Sequence, residues 1–170
     1  MDTIVTRLAA CAFAALLGAC ATYGPQGYPP GTPEATVVQG MGPPTGEYRV
    51  PPDGRRLEYA RGPYGKHTYM LDFDSGGRLQ RFEQVLTEAR FNDIRAGMSA
   101  QQVLAQIGRP STTWVIPRQY QVVWSYRYDS PFCQWFMVGV GPGDKVVDTA
   151  YGPDPLCATD DPFFHGFMRR

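Results

Sequence analysis

The sequence predicts an α+β protein of two tandem units, each a short helix or helical hairpin followed by a three-stranded antiparallel sheet. Three observations carry that expectation. The first is an internal repeat. "VVQGMGPPT" (37–45) parallels "VLAQIGRPS" (103–111), and "LEYARGPYGKHTYMLDFDSGGRL" (57–79) parallels "WSYRYDSPFCQWFMVGVGPGDKV" (124–146), at offsets of 66 and 67. Self-similarity at a fixed period marks a repeated structural unit. The second is composition: 16 Pro, 19 Gly and 13% aromatic residues favour turns and strands over long helices. The third is the alternation of apolar side chains with period two inside the repeated segments.

The helices come first in each unit. In the second unit (87–157), Thr87 is placed to cap a short helix over "EARFNDIRA", with Phe91 and Ile94 on one face and Gly97 as the stop. Ser99 and Gln102 have capping-box spacing, flanked by Met98 and Val103 as a hydrophobic staple. The helix that follows ends at Gly108, and Pro110 forbids its resumption. In the first unit (32–86), Thr32 is the expected cap, Pro33 the first helical residue, and a single helix runs to about Gly40.

Three strands are expected in each unit: near 55–61, 67–74 and 78–86, then over "VVWSYRY", "FCQWFMVGV" and "KVVDTAYG". In "FCQWFMVGV", Phe132, Phe136, Val138 and Val140 share one face, and Cys133, Trp135 and Met137 the other. Helices cover only one face, so Phe136 and Val138, with counterparts Tyr69 and Leu71, are assigned to the core. Trp135 and Met137, with Met70 and Asp72 in the first unit, then form an open face suited to a protein partner, unless the other unit or a loop covers it.

The N-terminal residues read as a targeting segment. Every residue from Leu8 to Leu17 is apolar, a run of about 15 Å as a helix and so too short to cross a bilayer. It ends in Leu17-Gly18-Ala19-Cys20, which resembles the bacterial lipobox, with the Cys20 thiol as the group that receives lipid. Residues 1–19 are then a lipoprotein signal peptide and 20–31 a Gly/Pro-rich tether. Ala21, in place of an Asp, favours the outer membrane, facing the periplasm. Cys11 leaves with the signal, so Cys133 and Cys157 remain in an oxidising compartment and are expected to pair.

The remaining chemistry is sparse. Lys+Arg and Asp+Glu both total 16, leaving no basic excess for nucleic acid. Neither His67 nor His165 lies in a catalytic motif, and no residue set has metal-ligand spacing, so neither an enzyme nor a cofactor is expected. "GVGPG" (139–143) lacks the lysine and helix of a phosphate loop. Residues 158–170 carry Phe163, Phe164, Phe167 and Met168, then Arg169 and Arg170. They either pack on the sheet or contact membrane or partner.

One segment resembles a known family. Phe91, Ile94, Gly97, Met98, Ser99, Val103, Gly108 and Pro110, followed by Trp124 and Tyr126, match the motif of the SmpA/OmlA family of outer-membrane lipoproteins over about residues 87–150. The duplicated arrangement is also similar to folds of the β-lactamase-inhibitor-protein type. The resemblance implies a lipoprotein that assists β-barrel assembly through contacts with other envelope proteins. An inhibitor or adaptor of a periplasmic enzyme, or a structural envelope lipoprotein, are the alternatives. Cys20→Ala tests the anchor: stable attachment needs more than one acyl chain, each CH₂ contributing about 0.8 kcal/mol. The variant is expected in the soluble fraction after a salt wash, and its sedimentation with outer membrane would refute the assignment.

Overall fold

The computed structural model describes residues 23–157; the signal segment, Cys20 and residues 158–170 lie outside them. Strands β1 (Gly46–Val50), β2 (Gly54–Ala60), β3 (Thr68–Phe73) and β4 (Leu79–Gln84) form one antiparallel sheet. Strands β5 (Thr112–Ile116), β6 (Gln121–Arg127), β7 (Gln134–Gly141) and β8 (Lys145–Pro153) form a second. Both run in simple sequence order. Helices α1 (Glu34–Met41), α2 (Glu88–Phe91) and α3 (Ala100–Ile107) are short.

The expected α+β class, with three strands per unit, is therefore corrected. Among the described residues the protein is mostly β, and each unit contains a four-stranded meander. The strands missed are the first of each sheet. Both are edge strands that bury no complete side chain, so neither shows the apolar alternation that would mark it. Three local expectations are also corrected. The helix expected over 88–96 stops at Phe91, where Asn92 and Asp93 give way to tight i→i+3 turns. Thr32 does not cap: its hydroxyl donates to the Pro29 carbonyl, and Pro33 takes the N-cap position. Phe132 lies before β7 and is exposed. The part of the expected tether from residue 23 onward packs on the first unit, with Pro25 buried and Tyr28 against the core.

The repeat extends to individual hydrogen bonds. The first helical N–H donates to the turn of the last hairpin in both units, Glu34 to Gly77 at 3.0 Å and Ala100 to Asp144 at 2.8 Å. Leu79 donates to Thr32 as Val146 does to Met98, at 2.9 and 2.8 Å. The first pair satisfies helix-terminal donors, and both pairs tie each helix entry to the last hairpin of its sheet. At the other helix end, the Tyr59 hydroxyl donates to the Gly42 carbonyl at 3.2 Å, and Tyr126 to Gly108 at 3.1 Å. Burial is the main cause pushing the Tyr59 hydroxyl up to about 12 and the Tyr126 hydroxyl well above its ordinary value, so both stay protonated as donors. A register shift interrupts β3/β4 at Asp72–Phe73 and recurs in β7/β8 at Gly139–Val140.

Each helix layer covers the inner face of its own sheet. Val37 and Met41 meet Leu57, Tyr59, Tyr69 and Leu71. Phe91, Val103 and Ile107 meet Tyr126, Phe136 and Val138, with Phe91 stacked on Phe136 at 4.2 Å between centroids. The Ser99/Gln102 capping box is present at the start of α3.

The outer face of the first sheet is not open. The second unit covers it through the end of α3. Glu58 on β2 is fully buried there and accepts from the Thr45 hydroxyl (3.0 Å), the Tyr48 hydroxyl (2.5 Å) and the Arg109 backbone N–H (3.2 Å). Arg56 donates to the Ala105 carbonyl at 2.9 Å. Gly108 (φ 77°, ψ −166°) sits at this contact, where a Cβ would lie 2.8 Å from Thr68 Cγ2 and 3.1 Å from Glu58 Cδ.

Gly42 holds nearly the same conformation (φ 86°, ψ −176°) with nothing near its missing Cβ. This region of backbone space is glycine-only, at a cost of about 1–3 kcal/mol for other residues. Both Gly42→Ala and Gly108→Ala should lose that much in urea unfolding. Gly108→Ala should lose about 1–3 kcal/mol more, from overpacking between the units. Equal losses would show that the contact between units is loose.

Candidate protein-binding face

The outer face of the second sheet has no such cover among the described residues. Strand pairing sets its membership. Trp114 on β5 is opposite Val123 on β6, Ser125 opposite Met137 on β7, and Met137 opposite Ala150 on β8. Together they form a shallow concavity of about 170 Å³, with buried Val123 as its floor and Trp114, Ile116, Met137 and Ala150 around it. Trp114 is 46% exposed. Its indole N–H donates to the Ser125 hydroxyl at 3.3 Å, which fixes the ring across the groove. Gly139 leaves room on β7 for Gln121 to donate to Asp148 at 2.9 Å, a polar edge to an apolar hollow.

The far end of this face is closed by Arg127. Its guanidinium makes a two-pronged pair with Asp154 (2.5 and 2.9 Å) and also donates to the Pro63 carbonyl. It lies 5.1 Å from the Trp135 ring centroid and 5.9 Å from that of Tyr64, so an aromatic ring from each unit packs against it. Burial pushes the Asp154 carboxyl up, but Arg127 and the Leu156 backbone N–H outweigh it and hold the carboxyl below its ordinary range. Asp154 N–H donates to the Cys133 carbonyl at 3.0 Å. Cys133 is joined there to Cys157, their Cα atoms 6.2 Å apart.

The residues expected to form one binding face are thus divided. Met137 lines the groove. Trp135 shares its face but is half-buried beneath Arg127. Met70 and Asp72 are corrections, because the sheet face that carries them is the contact between units. Met70 is 2% exposed, with its methyl beside Gly108. Asp72 is held between Arg56 (2.6 Å) and Arg81 (2.9 Å). Burial opposes its charge, but those two cations lower its pKa overall.

Trp114, Ile116 and Val123 were not anticipated. A signal for Trp114 exists in the repeat, which places it opposite Tyr48 at the offset of 66. The two aromatics also behave alike, each giving its polar hydrogen to the residue beside it on the second strand of its sheet.

Chemically the face offers apolar contact from Trp114, Ile116, Val123 and Met137, bordered by the Gln121 amide and the Asp148 carboxylate. Among the described residues no three His, Cys, Asp or Glu are grouped as metal ligands. His67 is engaged by the Tyr23 hydroxyl at 3.2 Å and packs near Tyr69. No protein-family model matches the chain. No curated protein matches it. The likeness to the SmpA/OmlA motif stands on the motif residues alone.

The Arg127–Asp154 pair carries a pH prediction. Removing one partner of a buried pair costs about 3–5 kcal/mol, so Asp154→Asn should lower the urea midpoint at pH 7 accordingly. The folded pKa is depressed, so the pair's contribution is complete above the unfolded carboxylate value of about 3.9 and is lost as pH falls through the lower folded value. Between pH 7 and pH 3 the wild-type midpoint should fall more steeply than that of the variant. Parallel curves would show that Asp154 is not held ionised by Arg127.

Proposed function

We propose that this chain is a non-catalytic protein-binding module, lipid-anchored at Cys20 to the periplasmic face of the outer membrane. We assign it as an accessory in the assembly of β-barrel outer-membrane proteins. One observation carries the binding role: the groove around Trp114 and Met137 repeats a surface the chain already uses for protein contact. In the first unit the equivalent aromatic and methionine are Tyr48 and Met70, and there the end of the next unit's helix lies against Met70 and against Glu58, to which Tyr48 donates. A fixed aromatic and a flexible methionine around an apolar floor are suited to anchoring a partner side chain. The lipobox supports the location, and the SmpA/OmlA-like motif supports the process.

Capture from detergent-solubilised membranes tests this reading. Wild-type protein should retain subunits of the β-barrel assembly machinery. Trp114→Ala and Met137→Arg should weaken retention by about 2 kcal/mol or more, the scale of a hot spot, with little change in the urea midpoint. Phe136→Ala should instead cost about 3–5 kcal/mol of stability, because its ring is core. Retention of a single soluble enzyme would favour the inhibitor reading. Full retention by both groove variants would remove this face from consideration.

A further inference from the structure

We infer that β5 is an open sheet edge that takes up an extended partner segment, flanked by acidic residues, as an added strand. The inference rests on the reading of the second sheet as the binding surface and names the kind of segment it receives.

Backbone pairing shows which groups are open. The Ser111 N–H donates to the Ser125 carbonyl at 2.9 Å, and Thr112 lies opposite Ser125, so that carbonyl faces β5. Alternation along the strands then turns Ser125, Val123 and Gln121 toward β5, with Thr112, Trp114 and Ile116 turned back to meet them. The N–H and C=O groups of Thr113 and Val115 point the other way, and among the described residues no group bonds to them. The edge is apolar on both sides. Trp114 is exposed on the outer face, and on the inner face Val115 is 63% exposed beside Val122.

The repeat shows how such an edge is guarded elsewhere in the molecule. In the first unit the Thr45 N–H donates to the Glu58 carbonyl and Gly46 lies opposite Glu58, so the outward positions of β1 are Glu47 and Arg49. They are the counterparts of Thr113 and Val115 at the offset of 66. Charges at outward positions keep an edge from pairing, whereas threonine and valine favour strands. The last strands are protected differently. Leu79 bonds to Thr32 and Gly31, and Val146 to Met98 and Gly97, which closes the start of each edge. β4 also carries Arg81 and Glu83, and β8 carries Lys145 and Asp148. Of the edge strands of the two sheets, β5 is the one without charge.

Charge selects the occupant. Arg109 precedes β5 and Arg118 follows it; both are exposed, and neither has an ion-pair partner among the described residues. Two copies joined antiparallel about Trp114 would set Arg118 of each beside Arg109 of the other, and like charges so placed oppose that pairing. The Trp114 ring, bonded to Ser125 on β6, is also turned away from the edge. A strand with Asp or Glu beyond each end meets both arginines with opposite charge, while main-chain bonds to Thr113 and Val115 hold it in the sheet.

The test is fluorescence anisotropy with the full mature chain in detergent and a labelled synthetic peptide of alternating Val and Thr between pairs of Asp. The expected result is saturable binding that weakens as salt rises. It should fall at least several-fold when Lys replaces Asp, or when alternate peptide amides are N-methylated. Val115→Pro removes an outward N–H where an edge strand accepts proline, so binding should fall several-fold while the urea midpoint stays near that of wild type. Should that variant unfold, the N-methylated peptide decides on its own. Arg118→Glu should weaken binding of the Asp peptide and strengthen that of the Lys peptide. Absence of binding, or indifference to N-methylation, to Val115→Pro or to the flanking charge, overturns the inference. A dimer that Val115→Pro dissolves overturns it too, by giving the edge to a second copy. Peptide binding without capture of membrane partners ends the proposed function alone, and capture that Val115→Pro leaves intact ends the added strand alone.

Discussion

Glu58 is the constraint around which the rest of the molecule is arranged. A carboxylate with no exposure must receive hydrogen bonds, or burying it would cost several kcal/mol. Its donors come from three different places: the loop after α1 through Thr45, the edge strand through Tyr48, and the second unit through the Arg109 backbone. Moving any of these leaves charge without a partner. The first sheet, its edge strand and the neighbouring unit are therefore fixed relative to one another by one side chain. Burial and the bond to Glu58 both push the Tyr48 hydroxyl above its ordinary value, which keeps it protonated for this role.

The two units share a backbone plan and differ in what their outer faces demand. Equivalent bonds close each helix onto its last hairpin and each tyrosine onto its glycine carbonyl. Ser111 repeats the role of Thr45 by accepting a backbone N–H from the second strand, Arg127 in place of Ala60. Divergence is concentrated on the outward side chains. Arg56, Glu58 and Asp72 make the first face a polar socket. Val123, Ser125 and Gly139 make the second an apolar hollow.

Much of this was legible in the sequence, and the failures have a common cause. The repeat, the six strands other than β1 and β5, the capping box and the assignment of Phe136 and Val138 to the core all follow from local periodicity and spacing. β1 and β5 do not, because an edge strand with one face half in water has no compulsory apolar pattern. α2 is shorter than expected because a four-residue helix held by tertiary contacts leaves little periodicity to measure. Met70 and Asp72 could be placed on the outer face, yet alternation along a strand reports only which side a residue occupies. Whether that side meets water or another unit is decided more than thirty residues further along the chain.

The polarity of the first unit's outer face also bears on the order in which the chain acquires structure. Each sheet is a meander of neighbouring strands, and none of its pairings waits for the other sheet, so each unit can form from local contacts. Before the second unit is in place, the first presents Glu58, Arg56 and Asp72 to solvent. Inward-pointing charges of this kind discourage a bare sheet from sticking to another. The same carboxylate that stabilises the finished contact thus protects the half-finished molecule from aggregation. The second unit, whose outer face carries Val123, Ser125 and Met137 in place of those charges, has no such guard.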